Sequence, residues 1–214
     1  MNSYVSLLRR RYRVTQVICP EKYTTIIDFL SHMDQTAWTA YDSVIVHCGI
    51  VDFSPRPISG LQAVAESKKG SSRFCEVFDS NEGYYARPFS GTYEGEPTIN
   101  LYSQSFLVDR LIPVLRGIEN LIWISSNNFV PGWDGNYVRG RPRNIGEIVE
   151  VFDREMRLGL PRVVDLSAWS HDDVRRYTVD NIHFSAEGFR RVAELIGRAL
   201  REQLLEPQHR SDAV

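Results

Sequence analysis

Apolar and polar positions along this chain alternate between two kinds of run. Residues 43–48 (Ser-Val-Ile-Val-His-Cys), 121–125 and 162–166 are short apolar stretches bounded by polar or glycine residues, the pattern of buried parallel strands. Between them, apolar residues recur three and four apart. Tyr4, Val5, Leu7 and Leu8 predict a short helix, followed by a β-like run over 12–19 that Pro20 ends. Ile26, Ile27, Phe29 and Leu30 predict a helix over 25–33. Pro55 and Pro57 mark a loop, and 61–68 reads as a weak helix. A longer helix is predicted over 99–116, bent near Pro113, with others over 145–158 and 185–205. Residues 69–97, rich in Gly, Ser, Tyr and Phe, read as an irregular insertion or lid, and 127–142 as a loop. Strands alternating with helices predict an α/β fold with a parallel sheet and helices on both faces. It forms a single domain over 1–206, with a solvated tail at 207–214.

Composition narrows the classes. A chain of 214 residues that is 43% hydrophobic can build one sizeable core. A net charge of −2 gives no electrostatic reason to expect nucleic acid or an anionic membrane, and the basic run Arg9, Arg10, Arg11, Arg13 reads as a solvated helix end. Cys19, Cys48 and Cys75 are too few and scattered for a disulfide framework or a thiolate zinc site. With no signal-like N-terminus and no run of about 18 apolar residues, the expectation is a cytoplasmic protein without a membrane span. The sequence leaves oligomeric state open, and nothing in it calls for a cofactor.

The chemistry concentrates in Asp180-Asn-Ile-His183-Phe-Ser-Ala-Glu-Gly188, which runs into the last helix. A carboxylate three residues before a histidine can bond one imidazole nitrogen and leave the other to take a proton from a nucleophile. Ser185 reads as the N-cap, and Glu187 suits the positive helix end. A second segment follows the strand at 43–48: Gly49-Ile-Val-Asp52-Phe-Ser-Pro-Arg56. There Gly49 allows a sharp turn, Asp52 can accept backbone amides, and Arg56 offers a fork for an anionic substrate group.

Together these segments resemble two sequence blocks of the SGNH hydrolases, the GDSL esterase/lipase superfamily. One is Gly-x-Asn-Asp after a strand, here Gly49-Ile-Val51-Asp52. The other is Asp-x-x-His before the last helix, here Asp180-Asn-Ile-His183, roughly 130 residues further on. The resemblance covers about residues 3–204. It implies a three-layer, doubly wound parallel sheet of flavodoxin-like strand order 2-1-3-4-5, with His183 as general base, Asp180 orienting it, and Gly49, Val51 and Asp52 in the oxyanion loop. The variant Gly-Ile-Val-Asp-x-x-Pro-Arg is similar to a subgroup associated with bacterial surface-polysaccharide loci, which implies an acylated carbohydrate as small-molecule or glycan ester substrate.

Departures from the resembled pattern matter as much. The block that ends a first strand in Gly-Asp-Ser is absent, Cys19-Pro20 stands where a second-block glycine is expected, and Val51 replaces an asparagine donor. Losing one oxyanion donor costs roughly 3–4 kcal/mol of transition-state stabilisation. Asn127 and Asn128 are the substitute donors the sequence offers. Without the central first strand, the runs 12–19 and 43–48 would flank a gap of about 10 Å, two strand spacings. Three resolutions stand open: a start upstream of Met1, direct pairing across the gap, or filling by another segment. Ser3, Ser6, Cys48, Ser54, Ser125 and Ser126 are weaker nucleophile candidates, with capping, turn or buried structural roles as the simpler reading. Metal chemistry through His47, Cys48, Asp52 and His183 is disfavoured, because adjacent strand residues face opposite ways. His32, His171 and His209 read as surface residues. Trp133, Tyr137, Trp169 and Tyr177 would rim the site, as sugar platforms or as local plugs. The expectation is an SGNH-type ester hydrolase; the alternative is a catalytically inactive SGNH-fold binding or scaffold protein in a glycan pathway.

Overall fold

The computed structural model describes residues 3–17, 25–35, 38–68, 88–101 and 103–205, so Cys19, Cys75, His209 and the tail at 207–214 lie outside the described residues. Its centre is a three-stranded parallel sheet of β1 (Val44–Val46), β5 (Leu121–Ile124) and β6 (Val163–Val164), in that spatial order. Val44, Ile45 and Val46 stand opposite Leu121, Ile122 and Trp123, and Trp123 and Ile124 opposite Val163 and Val164.

β5 is buried throughout and sends alternate side chains to opposite faces. Leu121 and Trp123 join one apolar cluster, with α2 (Ile26–Gln35), α3 (Gly49–Phe53), α4 (Ile58–Lys68) and α6 (Ile145–Gly159). Ile122 and Ile124 join the other, with α1 (Tyr4–Leu8), α7 (His171–Tyr177) and α8 (Ala186–Leu205). The α/β expectation, with helices on both faces of a parallel sheet, is therefore met. The strands of this parallel sheet follow one another in chain order, and none of the described residues pairs with the other edge of β1.

Several elements differ from expectation. Residues 12–17 form no strand: Tyr12 and Val14 pack half-buried against the second cluster, but Val17 is exposed and no ladder partner lies alongside among the described residues. Pro55 and Pro57 flank no simple loop, since β2 (Arg56–Pro57) pairs antiparallel with β4 (Glu96–Ile99), which pairs in turn with β3 (Pro88–Tyr93). The part of the 69–97 insertion that is described is thus an ordered hairpin. Its turn residues, Glu94 and Gly95, both have positive φ, the geometry that matches strand twist. β4 takes Ile99, so the next helix begins at Gln104, where the Ser103 hydroxyl accepts the Phe106 amide at 3.1 Å.

That helix, α5, runs Gln104–Phe106, then a π-turn at Leu107–Leu111, then Ile112–Arg116. The widened turn comes just before Pro113, which has no amide to continue the α ladder. α7 was not predicted, although Ser170 and Asp173 form a reciprocal capping box at its start. No described helix is long and apolar enough to cross a membrane.

Candidate active site

The loop between α7 and α8 folds back on itself. The Val179 amide donates to the His183 carbonyl at 2.8 Å, the Ser185 amide to the Tyr177 carbonyl at 2.8 Å, and Thr178 bridges Phe184. This brings Asp180 under His183. Asp180 Oδ1 accepts the amides of Ile182 (3.1 Å) and His183 (2.8 Å), while Oδ2 lies 2.7 Å from His183 Nδ1. The ring orientation is therefore fixed by its own loop. Asp180 is 2% exposed, whereas the His183 side chain is 65% exposed, and no described residue bonds Nε2. Burial alone would raise the Asp180 pKa. Hydrogen bonds from the His183 amide and ring and from the Ile182 amide outweigh it and hold the carboxyl below its usual 3.8. The Ser185 hydroxyl accepts the Gly188 amide at 3.0 Å, so the expected N-cap is in place.

Sequence reasoning overlooked the groups behind the couple. Arg141 donates from Nη1 to the Asp180 carbonyl at 2.6 Å and brings Nη2 within 3.1 Å of Oδ2, an ion-pair contact outside hydrogen-bond geometry. Its guanidinium lies over the Tyr137 ring, 3.9 Å from the centroid, and that ring stacks beside His183 at 6.4 Å. Asn181 adopts a left-handed conformation, φ 69°, tolerated by asparagine. Its side chain accepts the Val130 amide at 2.7 Å and donates to the Trp133 carbonyl, tying the 127–142 loop to the Asp–His loop. Gly135 lies beneath: at φ 57°, an added Cβ would stand 2.0 Å from the Val179 carbonyl oxygen. The signals were present, as an asparagine inside the Asp-x-x-His block and an arginine in a loop.

The second segment reaches a cavity beside this loop through Ile50. This cavity of about 20 Å³, room for a water-sized group, is lined by His47, Ile50, Ser126 and Asn127 together with Asn181, Ile182 and Phe184. The rings of His47 and Phe184 stack at 5.6 Å. Gly49 starts the helical turn α3 without positive φ; glycine is required because a Cβ would meet Trp123 at 2.8 Å and Phe53 at 2.9 Å. Close packing, not a sharp turn, fixes that position. Asp52, 1% exposed, accepts the Ile26 amide at 3.0 and 3.2 Å and so anchors the start of α2. Arg56 donates to the Val51 carbonyl at 2.8 Å, closing its own loop. The half-buried Val51 side chain supplies no donor.

The proposed substitute donors are otherwise engaged. Both amide hydrogens of Asn127 have partners, the Asn128 carbonyl at 2.7 Å and the Asn181 carbonyl at 2.8 Å. Asn128 donates to the Trp169 carbonyl at 3.1 Å. The Ser125 hydroxyl accepts the Leu166 amide at 2.6 Å and reaches Asp165 at 3.3 Å, and Ser3 caps α1, as the structural reading held. Cys48 is buried and forms no disulfide among the described residues. Trp169 is buried against Tyr177 and Phe184, a plug; of the four aromatics only Tyr137 stacks with His183.

The fold and site define an α/β protein with a carboxylate–imidazole couple at the carboxyl ends of a parallel sheet. No known family model, curated protein or solved structure matches the chain.

Proposed function

We propose that the chain is the base-bearing part of an SGNH-type ester hydrolase acting on an acylated carbohydrate. The observation that carries this reading is the 2.7 Å bond between a buried Asp180 carboxylate and an otherwise exposed His183 ring, on a loop whose Asn181 and Ile182 line a cavity together with Ile50 of the Gly49–Asp52 turn. In the proposed reaction a hydroxyl attacks the acyl carbon as its proton passes to His183 Nε2. Asp180 stabilises the imidazolium, and the proton then leaves with the sugar oxygen; water repeats the sequence on the acyl-enzyme. Among the described residues only Ser126 presents an uncommitted hydroxyl to the cavity. The reading otherwise assigns the nucleophile to a segment outside the described residues.

The second reading, a binding protein that retains the crevice without the chemistry, draws on one observation: no described hydroxyl bonds His183 Nε2. Aryl acetate hydrolysis by the purified chain separates the two. Under the hydrolase reading, His183→Ala lowers kcat by a factor on the order of 10⁴ or more. Ser126→Ala does the same if that hydroxyl is the nucleophile and leaves the rate unchanged if another segment supplies it. Hydrolysis indifferent to His183→Ala sinks the site assignment, and no hydrolysis at all favours the binding reading.

A further inference from the structure

An acyl-transfer site needs neutral or positive donors aimed at the substrate's carbonyl oxygen. Around the cavity those donors run short: Val51 has none, the Asn127 amide is spent on two backbone carbonyls, and the Ser125 hydroxyl is held by Leu166 and Asp165. The Ser126 hydroxyl is the candidate nucleophile of this reading, which leaves one polar ring as side-chain donor. His47 follows β1 directly, lines the cavity, stacks on Phe184 and has its Nδ1 3.0 Å from the Tyr4 hydroxyl. No described residue bonds its Nε2.

The Tyr4 contact decides what His47 can do. The Tyr4 phenol keeps its proton, its pKa pushed up to about 12 by burial and by Cys48 nearby. A phenol is the better donor and a neutral imidazole nitrogen the better acceptor, so Tyr4 O–H donates to Nδ1 and the ring hydrogen sits on Nε2. The protein packed around the ring lowers the His47 pKa to about 4. His47 is nonetheless exposed to solvent, but even its ordinary value of 6.5 leaves the ring mostly neutral above pH 7. A neutral imidazole with a fixed N–H can polarise a carbonyl without delivering a proton.

We propose that this cavity receives the acyl oxygen of the substrate and that His47, held by Tyr4, is its side-chain donor through Nε2–H, an inference that rests on the ester-hydrolase reading. No charged side chain lines the cavity, which suits a neutral carbonyl better than a carboxylate or phosphate. Its water-sized volume suits an oxygen atom and not a ring.

The test uses the ¹⁵N-labelled chain with acetamide as a neutral carbonyl probe. Long-range ¹H–¹⁵N spectra should show His47 as the Nε2–H tautomer at pH 7.5, with Nε2 shifting saturably as acetamide is added. His47→Gln, which retains an N–H donor, keeps acetamide binding, and His47→Phe, which retains the stack on Phe184, loses it. No shift at saturating acetamide, an Nδ1–H tautomer, or unchanged binding by His47→Phe overturns the inference. Hydrolysis separates this from the broader reading. If aryl acetate turnover requires His183, His47→Phe should lower kcat by about 10²–10³ with KM moving less than about threefold. His47→Gln should recover at least tenfold of that loss. A kcat indifferent to His47→Phe removes His47 and leaves the hydrolase reading intact; absence of His183-dependent turnover removes that reading while the acetamide shift alone decides the acyl-oxygen site.

Discussion

At the scale of single residues, two buried carboxylates of opposite behaviour support the crevice. Asp153 on α6 is 1% exposed; it accepts the Ser126 amide at 2.8 Å and Arg157 Nε at 3.1 Å, so it shapes the turn after β5. Burial dominates and raises its pKa from 3.8 to about 6, against the pull of the Ser126 amide and Arg157. The native state therefore holds a proton that the unfolded chain has released between those pH values. Its contribution is complete below about pH 3.8 and is lost as pH rises through 6, amounting to at most about 3 kcal/mol. Asp180, held below 3.8, acts in the opposite sense and in a separate window: its contribution is present at neutral pH and lost only in stronger acid. His47, with its lowered pKa, opposes Asp153 over the same range, so the Asp153 contribution is read as the difference between wild type and Asp153→Asn, which keeps an acceptor for Ser126. Urea unfolding at pH 4.5 and 7.5 should show the variant gaining about 1–2 kcal/mol on the wild type at the higher pH. A difference between the two proteins that is the same at both pH values would contradict the assignment.

At the scale of elements, legibility followed the length and purity of the apolar pattern. β1, β5, α2, α6 and α8 were readable because each buries one continuous run or face, and the Asp180–His183 bond because three residues and one turn enclose it. β2 and β4 escaped notice: Arg56–Pro57 is two residues long, and Thr98 is buried by pairing with a distant strand, which no local period records. The helix read over 99–116 absorbed Ile99 for the same reason. The donors assigned to Asn127 and Asn128 were misjudged because backbone carbonyls brought in by tertiary folding claim them. Gly135 shows how much of the site depends on such approach. Gly135→Ala must place a Cβ 2.0 Å from the Val179 oxygen at an unfavourable φ, so the 127–142 loop has to lift off the Asp–His loop. The expected loss is about 3 kcal/mol or more, read as a lower Tm together with movement of the His183 ring resonances. Unchanged ring resonances would show that the couple stands without its neighbour.

At the scale of the whole molecule, β5 is the element through which the two faces become one cooperative unit. Its four residues are at most 2% exposed, and alternate ones feed alternate clusters, so neither apolar layer can dissolve without uncovering the other. Phe152, fully buried in the first cluster, and Ile196, fully buried in the second, lie on different helices, α6 and α8, on opposite sides of this strand. Phe152→Ala should cost about 3–5 kcal/mol and Ile196→Ala about 2–5 kcal/mol, from lost burial plus the cavity each leaves. The tryptophans make the coupling visible, since Trp123 reports the first cluster and Trp169 the second, while far-UV circular dichroism reports helices on both. If the strand couples the layers, either substitution moves the fluorescence and dichroism midpoints together, because loss of one face removes the backing for the other. Were Ile196→Ala to separate the two midpoints while Phe152→Ala did not, the α8 layer would be melting on its own. His183, carried on the loop that enters α8, would then lose its orientation before the sheet unfolds.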